Sequence, residues 1–269
     1  MSSGNSRGLR NEGNALLIRS FLHLRDTPIT MTSLFARIVC ALVALAAAPT
    51  SFAQQGGINV PEHVARPVVM ELFSSQGCGN CPAANANVEK LAERTDVIAL
   101  TYPVGIWDYL GWDDTFARPE FLERQKRYNR TIGYRGPYTP QVIYSGEKHG
   151  PGTDMTKLAK GFAARDITPY PVGVAFDGEK VVVAGNLPDK VVKASVVLVR
   201  FRAGQTKVTP AGGPNKGKAM TYWNLVTGYE TIGEWKGGMQ NYQAACNSGC
   251  AVLVQKDGAE GAILGAAQK

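Results

Sequence analysis

The chain has 269 residues, 44% of them hydrophobic and 19% charged, with a net charge of +7. This is a globular composition and excludes collagen-like, coiled-coil and wholly disordered chains. Residues 1–53 hold five basic residues (Arg7, Arg10, Arg19, Arg25, Arg37) and two acidic ones (Glu12, Asp26), leaving 24 basic against 20 acidic in the rest. Such a mild balance lacks the clustered basic stripe that nucleic acid requires.

Met31 to Ala53 reads as a secretory signal. Arg37 supplies the positive region, Ile38 to Ala48 is an unbroken apolar run, and Ser51 and Ala53 place small residues before a cut at Gln54. Residues 1–30 then form an over-extended N-terminus. The apolar run has eleven residues, well short of the about 20 needed to span a bilayer. The expected product is periplasmic or secreted, with no stable membrane insertion once the signal is removed. Cys40 leaves with the signal. Cys78, Cys81, Cys246 and Cys250 remain, and an even number in an oxidising compartment points to disulfides. Four cysteines allow three pairings; the tight C-x-x-C and C-x-x-x-C spacings favour Cys78–Cys81 and Cys246–Cys250, the latter as a structural disulfide.

From residue 66 the pattern alternates. Val68–Ser74 is an apolar run of strand length, Pro82–Arg94 a helix with Ala84, Val88 and Leu91 on one face, and Val97–Pro103 a second strand. Residues 104–118 are aromatic-rich and break periodicity. Pro119 opens a helix that runs to about Ile132. Gln141–Tyr144 is a strand closed by a Ser145-Gly146 turn, and Asp154 caps a helix carrying Met155, Leu158 and Phe162. Strand–helix–strand at this spacing is a βαβ unit with parallel strands, and the later strand adds an antiparallel edge.

After Pro169 the pattern is that of strands: Val172–Phe176 and Lys180–Ala184 around Asp177-Gly178, then Ser195–Arg202, Thr221–Val226, Glu230–Trp235, Ala251–Gln255 and Ala262–Ala266, the last two joined through Asp257-Gly258. Residues 203–218 are rich in Gly, Pro and Lys. They read as an anion-binding loop or as a solvated hairpin tip, and the polar turn composition favours the tip. The fold class is therefore α+β: a domain over 66–168 whose pattern is α/β, followed by a mainly antiparallel β domain over 169–269 packed on it.

The chemistry centres on Cys78-Gly-Asn-Cys81-Pro82, where a strand ends and a helix begins. Cysteines three apart face the same side of a helical turn. Cys78 stands near the first free backbone N–H groups, which favour a thiolate. Cys81, one turn in, suits the resolving role. Pro82 disfavours helical geometry at Cys81, so the helix is expected to start late. Glu71 reads as a buried general base for Cys81 or as a strand-end carboxylate facing solvent. Trp107 and Trp112 read as a substrate wall or as a packed aromatic cap. Arg124, Gln125 and Tyr128 share a helical face that either steadies this aromatic loop or is exposed and idle. His63 and His149 have no metal-ligand spacing to other residues, and a zinc site from all four cysteines is disfavoured by the compartment.

These residues carry a resemblance. C-x-x-C after a strand, with Thr139-Pro140 before a later strand, resembles a thioredoxin fold, in which a cis-proline faces the cysteine pair and guides an extended partner. ELFSSQGCGNCP, WDYLGWDD, RQKRY, YTPQV and AVLVQ together resemble the exported bacterial proteins of domain-of-unknown-function family 1223, which has a thioredoxin-like core. The resemblance implies a cis Thr139–Pro140 bond lying against Cys78, with Thr139 meeting the partner strand. It supplies no substrate. Gly-Asn between the cysteines departs from the Gly-Pro of ordinary thioredoxins, and Glu71 lies one residue further from the pair than their buried acid.

Two functions compete. One is an exported thiol–disulfide oxidoreductase acting on exported proteins or small thiols, with Cys78 attacking, Cys81 resolving, Pro140 positioning and no cofactor. The other is a non-catalytic secreted binding or scaffold protein with structural disulfides. A copper or zinc carrier is disfavoured by the lack of nearby Met or His ligands. The residues fix no oligomeric state.

Overall fold

The computed structural model describes residues 67–163, 172–256, 258 and 260–269. The expected over-extended N-terminus, the expected signal with its cut before Gln54, the expected 168/169 boundary and Asp257 lie outside them.

In chain order the elements are β1 (Val68–Ser74), α1 (Cys81–Ala92), β2 (Val97–Pro103), a short 3-10 turn (Asp108–Leu110), α2 (Pro119–Ile132), β3 (Gln141–Tyr144), β4 (Lys148–Pro151) and α3 (Met155–Ala163). There follow β5 (Val172–Asp177), β6 (Lys180–Gly185), β7 (Ala194–Val208), β8 (Met220–Trp235), β9 (Gln240–Gln243), β10 (Gly249–Lys256) and β11 (Ile263–Gln268). The class is α+β. One sheet has the order β11-β10-β7-β8-β2-β1-β3-β4, and a smaller antiparallel one the order β5-β6-β9. β1 and β2 are parallel in register Val68↔Val97 through Ser74↔Pro103, and β3 lies antiparallel on the other side of β1.

Both faces of the large sheet are covered, which is why its strands read as nearly continuous apolar runs. Along β1 the alternation sends Met70 and Leu72 to α1, where they meet Ala84, Val88 and Leu91. Val69 and Phe73 go to the opposite face, against Phe121 and Tyr128 of α2. The same opposite face continues through Val197 and Val199 of β7 and Leu253 of β10. Val196 and Leu198, one step out of phase, pack instead on Val181 and Val183 of the small sheet.

The large sheet thus takes strands from both sides of the expected 168/169 boundary. The seam is the β2–β8 pair, a single parallel bridge at Thr101↔Leu225. Two side chains complete it. Thr101 Oγ1 donates to the Trp223 carbonyl at 2.7 Å, and Asn224 Nδ2 donates to the Ala99 carbonyl at 3.0 Å.

β1, β2, α2 and β3 have the bounds read from the sequence. α1 begins one residue before Pro82, at Cys81, because proline occupies the second helical position without loss of a ladder bond. β7 runs on past Arg202, and β8 joins the two strands expected at 221–226 and 230–235. Bulges opposite Arg200/Phe201 and Arg202/Gln205 absorb the residues that broke the alternation. β4 and β9 are short, polar and half-exposed, so no apolar periodicity marks them. Residues 203–208 are strand rather than loop. Arg124, Gln125 and Tyr128 are buried, not exposed.

Candidate active site

β1 delivers the chain to a turn over Ser75–Cys78. The Cys78 N–H donates to the Ser75 carbonyl at 3.2 Å and the Cys81 N–H to the Cys78 carbonyl at 3.1 Å. The two cysteines are disulfide-bonded, with Cα atoms 5.3 Å apart, within the range that a disulfide needs. Cys78 precedes the N-cap Asn80, whose side chain makes no capping bond. The pair sits at the C-terminal end of a central parallel strand, where α/β sheets gather their sites.

Cys78 is 4% exposed and Cys81 fully buried. They share an apolar cluster with Met220, Tyr222 and Leu225 of β8, flanked by Trp107, Phe116 and Val208. Trp107 backs directly on Gly77, where any Cβ would stand 2.8 Å from the Trp107 Cβ, so this position takes only glycine without rearrangement. The Trp107 indole N–H donates to Thr139 Oγ1 at 2.7 Å, joining the cysteine turn to the Thr139–Pro140 segment. That peptide bond is cis. Gln125 Nε2 holds the same segment from α2, donating to the Tyr138 carbonyl at 2.8 Å and to Gln141 Oε1 at 2.7 Å. Trp112 is half-buried. Its ring lies against Gly212, where a Cβ would approach to 2.6 Å.

Asp114 pins the turn from the aromatic loop. Its Oδ2 accepts from the Gln76 N–H at 2.7 Å, and its Oδ1 accepts from Gln76 Nε2 and from the Phe116 and Ala117 N–H groups. Burial pushes its carboxyl above the ordinary value of 3.8, against the pull of those N–H groups and with the nearby Asp108 charge adding to the rise. Tyr222 is pushed far above its usual range, mainly by burial and next by the Asp114 charge, against the pull of the Ser74 hydroxyl.

Glu71 is buried, as one of its two readings expected, and does not face solvent. It lies on the β1 face opposite α1, with Val69 and Phe73, and so points away from the helix that carries Cys81. It is fully buried, ion-paired with Arg124 at 2.9 Å and hydrogen-bonded by the Tyr128 hydroxyl. Gln255 closes the network, accepting from Arg124 at 2.9 Å and donating to the Tyr128 oxygen at 2.9 Å. A paired, fully bonded carboxylate of this kind ties α2 and β10 to β1.

The sequence reading missed the residues that the C-terminal half adds. The 209–219 loop closes the β7–β8 hairpin and is mostly exposed, as a solvated tip would be, but it also lies on the cysteine turn. Asn215 Nδ2 donates to the Gln76 carbonyl at 2.9 Å and to the Cys78 carbonyl at 2.8 Å. The signal was there in Gly212-Gly213-Pro214-Asn215, small residues that permit close approach, but no local pattern said what they approach. Cys246 and Cys250 form the second disulfide, Cα atoms 6.0 Å apart, with Cys250 in the cluster packed between the large sheet and the small one. The four cysteines therefore occupy two separate clusters. Among the described residues no three His, Cys, Asp or Glu side chains converge to hold a metal, and no helix is long and apolar enough to cross a membrane.

Among curated proteins none matches the chain. The X-ray crystal structure of a protein from Agrobacterium tumefaciens is 34% identical, with a TM-score of 0.63 over 77% of this chain and 95% of that one. HBP35 of Porphyromonas gingivalis, 14% identical with a TM-score of 0.50 over 78% of this chain and 76% of that one, shares the fold alone. The family model described as "Protein of unknown function (DUF1223)" matches residues 69–259. With most of its length matched, the chain belongs to the DUF1223 family.

Proposed function

We propose that this chain is an exported thiol–disulfide oxidoreductase built on a thioredoxin-like core, with Cys78 attacking and Cys81 resolving. The observation that carries the reading is the disulfide-bonded C-x-x-C pair at the turn from a central parallel strand into α1. In the reduced form the Cys78 thiolate attacks a partner disulfide, forms a mixed disulfide and releases one partner thiolate. Cys81 then attacks the Cys78 sulfur, closes the Cys78–Cys81 bond and releases the second partner sulfur. Two electrons pass to the partner, and the reverse sequence oxidises a dithiol. Thr139 and Pro140, tethered through Trp107, form the neighbouring wall. The partners are exported proteins or small thiols in the periplasm or outside the cell, and the chemistry calls for no cofactor.

A Cys81→Ser variant tests this directly. It should accumulate Cys78-linked mixed disulfides in the periplasm, visible on non-reducing gels and lost in Cys78→Ser/Cys81→Ser. Absence of any adduct in Cys81→Ser would favour the second reading, a non-catalytic binding or scaffold protein. That reading is supported by the burial of Cys78 and by the second, structural disulfide.

A further inference from the structure

The ladder between β7 and β8 ends at Val208↔Met220, and the loop between these residues folds back over the cysteine turn. Asn215 is only 2% exposed, and its amide bonds two main-chain carbonyls of that turn. A Cβ at Gly79 would lie 3.8 Å from the Pro214 Cβ, one at Gly213 would lie 3.7 Å from the Gly77 Cα, and Gly212 sits on the Trp112 ring. The loop also holds itself together. The Gly217 N–H donates to the Pro210 carbonyl at 2.9 Å, that of Lys216 to Gly213 at 3.1 Å and that of Lys218 to Asn215 at 3.0 Å. It is thus an ordered cover fastened by one buried polar side chain. Closing a hairpin requires no such fastening. Cys78 itself is 4% exposed, packed among Met220, Tyr222, Leu225, Trp107 and Phe116, and the loop is fastened to its carbonyl. Exchange needs access to the attacked sulfur. A small thiol meets that requirement with one slender chain, whereas a protein dithiol must bring its backbone alongside the turn, into the space the loop occupies.

We propose that the 209–219 loop, latched by Asn215, is the substrate filter of the Cys78–Cys81 pair: closed, it admits low-molecular-weight thiols and disulfides, and protein partners react only when it lifts. The proposal rests on the oxidoreductase reading. With the oxidised pair, a small thiolate attacks the Cys78 sulfur, and a mixed disulfide forms as the Cys78–Cys81 bond breaks. Cys81 leaves as a thiolate and takes up the proton that the attacking thiol released. A second thiolate attacks the mixed disulfide, the small disulfide departs, and Cys78 is protonated in turn. Two thiols are oxidised, and the pair gains two electrons and two protons.

The test compares two reductants on the oxidised protein, glutathione as the small thiol and reduced thioredoxin as the protein dithiol. Rates are followed by thiol trapping and mass spectrometry. Asn215→Ala removes the latch, and Gly212→Ala pushes the loop off Trp112 without touching Asn215, so the second variant serves if the first does not fold. In Asn215→Ala the ratio of the thioredoxin rate to the glutathione rate should rise about tenfold, the effect of losing two hydrogen bonds on an opening equilibrium, and in Gly212→Ala it should rise in the same direction. A ratio of the two rates that is the same in wild type and both variants overturns the filter and leaves the oxidoreductase reading standing. A pair that reacts with neither reductant in any native form overturns both.

Discussion

Glu71 and Arg124 sit in the core fully desolvated and are kept there by each other, Tyr128 and Gln255. Breaking such a pair leaves an uncompensated charge, so Glu71→Gln should cost about 3 kcal/mol or more in urea denaturation. The folded variant should still reduce and reoxidise at Cys78–Cys81 at the wild-type rate. A specific fall in exchange rate without loss of stability would mark Glu71 as a proton acceptor. Strand alternation already separates Val69, Glu71 and Phe73 from Met70, Leu72 and Ser74. Both sets are dense with apolar residues, however, so the sequence did not say which face α1 would cover, and Arg124 lies 53 residues away.

Asp114 gives a pH signature. Its carboxyl titrates above the 3.8 of the unfolded chain, so its proton is held more tightly in the fold. The stability it contributes is complete below 3.8 and is lost as pH rises through its raised value. In urea midpoints measured from pH 4 to pH 7, the wild type should therefore lose ground to Asp114→Asn as pH rises. A gap that moves in the wild type's favour with rising pH would contradict the burial of this carboxyl.

At the scale of elements, legibility followed the source of order. β1, β2, α2 and β3 could be read directly because apolar runs and Pro119 mark their ends. β8 read as two strands because Thr227-Gly228 breaks the alternation, and pairing with β7 carries the chain across that break by a bulge. β4 and β9 gain their order from neighbouring strands and carry no pattern of their own. The Cys246–Cys250 bridge pins the turn between β9 and β10 and is read easily from spacing. It closes so small a loop that replacing both residues with Ser should cost only about 2 kcal/mol in thermal or urea unfolding. Thiol exchange at Cys78–Cys81 should be unaffected, since the two pairs lie in different clusters. Loss of exchange matching that of Cys78→Ser would instead reveal electron relay between the pairs.

Over the whole molecule the large sheet joins what the sequence divides. The β2–β8 seam depends on one bridge, Thr101 and Asn224, contacts that no periodicity announces. The joint decides the site: the N-terminal half supplies Cys78, Cys81, Trp107, Asp114 and Thr139, while the C-terminal half supplies Tyr222, Leu225 and Asn215. The cysteine motif was therefore legible and its cover was not, because the cover comes from a loop 137 residues downstream of Cys78.

Whether this pair exchanges electrons or only staples a turn is decided by its reduction potential, measured by equilibrating the purified protein in glutathione and dithiothreitol buffers. A working oxidoreductase should fall between about −270 and −120 mV, the range of thioredoxin-like exchangers, whereas a value below about −300 mV would mark a structural disulfide and contradict the proposed activity.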